Sequence, residues 1–94
     1  MSKDQDILRV TERLRCLCSR REYCSADILK KAADALEGDK EAAEKILEVL
    51  IGEKYVDDLR YSTAYAREKA MISGWGETKI RYMLSAKKID HDLI

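Results

Sequence analysis

The sequence lacks the residue groupings that most enzymes and metalloproteins need. Its three cysteines form no Cys-x-x-Cys pair, and its single histidine, His91, is distant from them, so the four spaced ligands of a structural zinc site are missing. A glycine-rich phosphate-binding loop is absent, and so is a recognisable pair of nucleophile and base. We therefore expect no catalysis and no bound metal or cofactor.

Net charge and long hydrophobic runs are missing as well. The 94 residues contain 18 Lys and Arg against 18 Asp and Glu, unlike a strongly basic nucleic-acid-binding domain. No apolar run approaches the roughly 18 residues of a membrane span, and no signal-peptide core follows the polar start Met1–Asp6. These features predict a small cytoplasmic protein that does not enter a membrane. Its cysteines are expected to be buried or half-buried free thiols, namely Cys16, Cys18 and Cys24.

What is present throughout is helical periodicity. Apolar residues recur every three or four positions, and no stretch alternates as a half-buried strand would. The pattern predicts an all-α chain of about five helices, the first over about residues 5–19. The second helix is predicted to begin at a cap formed by Cys24 or Ser25, with Asp27 as the reciprocating acid of a capping box, and to end in a left-handed turn at Gly38. The third is predicted to begin at a cap formed by Asp39 and to end near Gly52. The fourth is predicted to begin at Asp57 or Asp58, and a break at Gly74–Gly76 separates it from the fifth.

A shift of 52 residues aligns the two parts of the chain by pattern. It places Tyr23 on Trp75, in each case one residue before a helix cap, and Ile28 on Ile80. We therefore expect tandem three-helix repeats with helix-turn-helix-like bundles, the first over residues 1–52 and the second, incomplete at its third helix, over 53–94. The missing helix would begin near His91. Either another chain completes this repeat or the sequence is part of a longer protein, and we favour the second explanation.

Three segments resemble the RecX family in order and spacing. The first, Cys18–Ile28, is similar to the family's Leu-x-Arg-Arg-Glu-Tyr-Ser-x-x-Glu-Leu segment, and the second, Leu47–Tyr61, to its segment containing Gly-Tyr-Ile/Leu-Asp-Asp-x-Arg-Phe. The third contains Tyr65–Arg67, Gly74–Gly76 and Lys79–Arg81. The departures from the family's pattern are Cys24 for its capping Ser, Lys88 where Gly is usual, and the absence of a third repeat.

This resemblance implies an all-α, non-enzymatic regulator of the RecA recombinase. Members of the family consist of tandem three-helix repeats, usually three. They occupy the groove of the RecA filament on single-stranded DNA and restrain its ATPase and strand exchange, which connects them to DNA repair, recombination and the SOS response. The partner implied is the RecA filament, with single-stranded DNA contacted directly or through RecA.

Candidate partner-binding residues are basic or aromatic, and most lie in the last third of the sequence. Residues 59–94 contain seven Lys and Arg but only four Asp and Glu. They are Arg20, Arg21, Arg67, Trp75, Lys79, Arg81, Tyr82, Lys87 and Lys88. Structural explanations compete with binding at several of these positions. The arginine pair after the first helix can stabilise its last carbonyls, Trp75 can anchor its turn, and the basic side chains can simply be solvated.

Other residues favour structural roles over binding. Tyr61 and Tyr65, four apart on one helical face, are expected in the core with their hydroxyl groups at its rim. Asp57 and Asp58 are expected to be a cap and a first-turn acid, with Arg60 pairing to one of them.

Two functions of other classes stay open. One is a helix-turn-helix DNA-binding module, although its recognition helix would begin with Glu77-Thr78-Lys79 instead of typical base-reading residues. The other is a helical protein–protein adaptor. A dimer through exposed apolar surface near Ile80, Leu84 and Ile94 is a further expectation.

Overall fold

The computed structural model describes residues 3–90, and within that range the protein consists of five α-helices with no β-strand. The helices are α1 (Lys3–Arg20), α2 (Ser25–Ala35), α3 (Lys40–Gly52), α4 (Asp58–Met71) and α5 (Glu77–Ala86). The all-α prediction is confirmed, and α1 is longer at its start than its apolar stripe predicted. None of these helices is both long and apolar enough to cross a bilayer.

Two helix caps predicted from the sequence are confirmed. The Asp39 carboxylate accepts a hydrogen bond from the Ala42 amide at 3.1 Å, and the Asp57 carboxylate accepts one from the Arg60 amide at 3.0 Å. Each satisfies an amide of the first turn that has no partner within the helix. Asp57 is therefore the cap of α4, and Asp58 belongs to its first turn.

The turn after α2 has the left-handed conformation predicted at Gly38. Its φ is +87°, and the preceding residue, Glu37, is also left-handed with a φ of +57°. The Gly38 amide donates to the Ala33 carbonyl at 2.7 Å, which closes the end of the helix.

The first three helices enclose a hydrophobic core, here called the first core. Ile28 and Leu50 are fully buried in it, and Val56, which follows α3, completes it. The remaining buried members are Val10, Leu14, Ala32, Ala43 and Ile46. Arg15 of α1 closes the side of this unit by donating through Nε and Nη2 to the two carboxylate oxygens of Glu53, at 2.8 and 2.9 Å.

A second core lies between α4, α5 and the start of α2. Tyr61 of α4 packs there with Ile80 and Leu84 of α5 and with Ile89, while the fully buried Cys24 enters from the N-terminus of α2. The first residues of α2 therefore belong to the second core although the rest of the helix belongs to the first. This arrangement joins the two parts of the chain.

The structure corrects two expectations about exposed and buried side chains. Cys16 is exposed, whereas Cys18 is half-buried and Cys24 buried, because Cys16 lies on the outer face of α1. Ile80 and Leu84 were expected to be exposed but are 8% and 2% accessible, since the second core covers them. Ile94 and the third helix expected near His91 lie outside the described residues.

Candidate partner-binding surface

The N-terminus of α2 is held by a carboxylate from α4. Both Asp58 oxygens are used: Oδ1 accepts from the Ser25 amide at 2.8 Å, and Oδ2 accepts from the Ser25 hydroxyl at 2.6 Å. Cys24 is the N-cap residue, as predicted, but its thiol makes no capping hydrogen bond. The Asp27 carboxylate, which was expected to reciprocate this cap, lies with Oδ2 3.4 Å from Lys87 Nζ.

A second ion pair crosses between the two parts of the chain. Arg60 Nε donates to Glu22 Oε2 at 2.7 Å, and Arg60 Nη2 donates to the Tyr55 carbonyl at 3.2 Å. The expected side-chain pairing of Arg60 with Asp57 or Asp58 is therefore wrong. Its side chain extends towards the α1–α2 connection, where Glu22 accepts its hydrogen bond. The neighbouring Asp57 and Asp58 instead bind the N-termini of α4 and α2.

Trp75 forms the centre of a cationic and aromatic surface, here called the Trp75 patch, with Tyr65, Lys69 and Lys79. Nζ of Lys79 lies 4.2 Å from the centroid of the Trp75 ring, and Nζ of Lys69 lies 5.0 Å from it. The Tyr65 ring approaches Trp75 edge-on, with centroids 6.4 Å apart and planes at 67°. Each cation–π contact contributes about 0.5–1 kcal/mol at an exposed site. These contacts therefore hold the amines of Lys69 and Lys79 against the Trp75 ring.

The structure brings Arg21 close to this patch through a shared groove. Arg21, Lys69 and Lys87 line it together with the rings of Tyr61 and Tyr65, and it encloses about 400 Å³. Glu22 and Glu68 also line this groove, so its positive charge is partly balanced. The guanidinium carbon of Arg21 lies 4.7 Å from the centroid of the Tyr23 ring.

Lys87 is half-buried and lies close to Tyr61 and Asp27, which its place in the sequence does not indicate. Burial acts to lower the pKa of Lys87, but the neighbouring Tyr61 and Asp27 outweigh it and raise that pKa above its ordinary value. Burial likewise raises the pKa of Tyr61 and raises the pKa of Cys24 to about 11. Lys87 therefore stays protonated and contributes to joining the two parts of the chain.

The other predicted residues are dispersed over the surface. Arg81 lines the cleft between α4 and α5 and pairs with Glu77, with Nη2 and Oε1 at 2.7 Å. Tyr82 is 71% exposed on α5. The remaining three are exposed at the end of α1, on α4 and after α5, respectively Arg20, Arg67 and Lys88.

Sequence reasoning missed Lys69, whose amine approaches both rings of the Trp75 patch. The signal was available, because Tyr61, Tyr65 and Lys69 follow one another at intervals of four and so share a helical face. Tyr61 and Tyr65 stack at 5.8 Å on that face, consistent with the core position expected for them. Among residues 3–90, no three His, Cys, Asp or Glu side chains are grouped closely enough to hold a metal ion.

Comparison with known protein families matches residues 57–94 to one described as RecX, second three-helix domain. Both α4 and α5 lie inside the matched range, and so do all four residues of the Trp75 patch. The chain has no significant match among curated proteins or among solved structures.

Proposed function

Because residues 57–94 match the family described as RecX, second three-helix domain, we propose that the chain is a non-enzymatic, cytoplasmic regulator of the RecA recombinase. In this proposal it binds the RecA filament on single-stranded DNA and inhibits the ATPase and recombinase activities of the filament. The observation that carries the proposal is the position of the Trp75 patch inside the matched residues.

The Trp75 patch has the chemistry of a protein-binding site for an acidic surface. Trp75 supplies a large, partly accessible ring, and Lys69 and Lys79 add two positive charges held against it. Aromatic residues contribute most of the binding energy in many interfaces, while surrounding charges increase the association rate and select the partner. Binding through this patch should weaken as salt concentration rises, because exposed charges are screened.

The organisation that we propose for the chain is a first repeat over 1–52 and a second over 53–94. The geometry of the two N-caps supports it: Cys24 has φ and ψ of −80° and 163°, and Gly76, 52 residues later, has −78° and 165°. An aromatic ring precedes each cap and carries nearby cations, Tyr23 in the first repeat and Trp75 in the second.

The ends of the helices that follow these caps also correspond. α2 and α5 each lead into a left-handed residue, Glu37 with φ +57° and Lys88 with φ +60°. The next amide then bonds back to the helix, from Gly38 to Ala33 in one repeat and from Ile89 to Leu84 in the other, at 2.7 and 3.3 Å.

The direct test is the DNA-dependent ATPase of RecA, titrated with the 94-residue chain. We expect inhibition, and we expect Lys79→Glu to raise the concentration needed for half-inhibition by about tenfold. The matched control is Lys45→Glu, which makes the same charge change on α3, where Lys45 is exposed and 3.9 Å from Glu41. Urea unfolding of both variants checks that the fold is retained.

The possible outcomes test the Trp75 patch as the contact and the regulation of RecA separately. Equal inhibition by the wild type, Lys79→Glu and Lys45→Glu would show that the Trp75 patch is not the contact. No inhibition by the wild type would contradict the proposed regulation of RecA by this chain. Fluorescence anisotropy of labelled single-stranded DNA without RecA then tests direct DNA binding, which should decline steeply with salt if phosphates are contacted.

A further inference from the structure

The part of the chain formed by α4, α5 and Ile89, here called the α4–α5 unit, has a small core of its own. The buried apolar side chains that it contributes are Tyr61, Ile80, Leu84 and Ile89. The hydroxyl oxygen of Ser62 is buried in this unit without a hydrogen-bond partner, which is unfavourable. The two helices have 14 and 10 residues, and isolated helices of this length are marginally stable in water. The unit therefore depends on its contacts with the rest of the chain.

The contacts between the α4–α5 unit and the start of α2, here called the joint, are largely polar. Each polar contact places a charged side chain of one part on a polar group of the other: Asp58 with Ser25, Arg60 with Glu22, and Lys87 with Asp27. The side chains of the two ion pairs are 33–43% accessible, so water competes for them. The apolar part of the joint is Cys24, which is fully buried in the second core.

The first core does not need the α4–α5 unit. Its buried members all come from α1, α2 and α3 and from Val56, which follows α3. The backbone is anchored up to this residue, because the amides of Tyr55 and Val56 donate to the Leu50 carbonyl at 2.9 and 3.3 Å. The chain can therefore pivot at Asp57 while the first core stays closed.

We propose that the α4–α5 unit opens as one cooperative piece, leaving the joint and losing its helical structure while α1, α2 and α3 stay folded. The open form is a minor population of the native protein, as sub-global openings of weakly packed elements are. All four residues of the Trp75 patch lie in this unit, so the patch exists only in the closed form. A partner bound to the patch therefore suppresses opening. That link to binding rests on the proposed function, whereas the opening itself does not.

Hydrogen exchange of the native 94-residue chain, measured by mass spectrometry of its peptides, tests the opening. We expect the slowest amides of α4 and of α5 to be equally protected, and to exchange about tenfold or more faster than the slowest amides of α2 and α3. Arg60→Gln removes the ion pair with Glu22 and should accelerate exchange in α4 and α5 about fivefold without changing α3. The matched control is Arg67→Gln, the same change at an exposed position of α4 outside the joint, which should have less than about a twofold effect.

Three results of this experiment would contradict the proposal. They are equal protection of the two parts of the chain, an acceleration by Arg60→Gln that reaches α3 to the same degree, and equal effects of Arg60→Gln and Arg67→Gln. None of these measurements involves RecA, so failure of the proposed function would leave them unchanged.

The Cys24 thiol provides a second readout, located in the joint itself. Because it is fully buried in the second core, it becomes accessible when the α4–α5 unit opens. Alkylation of Cys24 should therefore be slow in the wild type and about fivefold faster in Arg60→Gln, while the exposed Cys16 reacts at the same rate in both. An unchanged rate at Cys24 together with faster exchange in α4 would show that α4 frays without leaving the joint, and would overturn the proposal.

Discussion

Replacing Asp58 by alanine should destabilise the protein more than replacing the adjacent Asp57. Asp57 caps its own helix through one hydrogen bond at an exposed position. Asp58 instead reaches from α4 to α2, where it accepts from both the amide and the hydroxyl group of Ser25. Its removal breaks a connection between the two parts of the chain and leaves an amide of the first turn of α2 without that partner.

The magnitude follows from the two bonds. A hydrogen bond to a charged group contributes about 1.5–3 kcal/mol, and an N-terminal cap contributes about 0.5–2 kcal/mol. The Asp58 site is half-buried, so water replaces part of what is lost. We therefore expect Asp58→Ala to reduce the free energy of unfolding by about 2–3 kcal/mol, against about 1 kcal/mol for Asp57→Ala.

Urea unfolding monitored by far-UV circular dichroism measures both values. A double-mutant cycle with Ser25→Ala isolates the bond between the hydroxyl and the carboxylate, and we expect a coupling energy of about 1 kcal/mol. Additive effects of Ser25→Ala and Asp58→Ala, or equal losses for Asp57→Ala and Asp58→Ala, would refute the role assigned to this contact.

Four further predictions concern the turns and the buried thiol. Gly74→Ala should lower the free energy of unfolding by about 1 kcal/mol, because residue 74 has a φ of +70°. Gly76→Ser should raise it by about a few tenths of a kcal/mol, because the serine hydroxyl adds a cap acceptor at a residue whose φ is −78°. Urea unfolding midpoints measure both changes. Cys24 should resist alkylation in the folded protein while Cys16 reacts, as mass spectrometry of the labelled chain would show. Because the pKa of Cys24 is raised to about 11 from 9.0, the folded state keeps a proton that the unfolded state releases. Stability should therefore fall between about pH 9 and pH 11, by about 2–3 kcal/mol at most, and Cys24→Ala should remove that part of the slope.

The ends of the helices could be predicted from the sequence because their signals are local. Asp39 and Asp57 each bind an amide three residues ahead, and Gly38 supplies a backbone conformation that other residues rarely adopt. The same holds for the helical stripes, whose spacing identified the faces that became the two cores. Such features need no knowledge of which helices are neighbours in space.

The contacts between the two parts of the chain could not be predicted in this way. Ser25 and Asp58 are 33 residues apart, and Glu22 and Arg60 are 38 apart. Periodicity shows which face of a helix is buried, but not which charged residue of another element lies beside it. Local pairing was therefore expected for Arg60, whereas the fold offered it a more distant acceptor.

The unusual cysteine at the start of α2 is explained by one of these distant contacts. At the position where the RecX resemblance places a capping serine, this chain has Cys24, whose thiol is a poor acceptor for helix amides. The Asp58 carboxylate binds the α2 N-terminus instead, one residue further on. Cys24 is then free to fill the second core beside Tyr61 and Ile80, where it is fully buried. A hydroxyl group in that apolar contact would need a partner of its own, so the thiol suits the core, and the helix is still capped from α4.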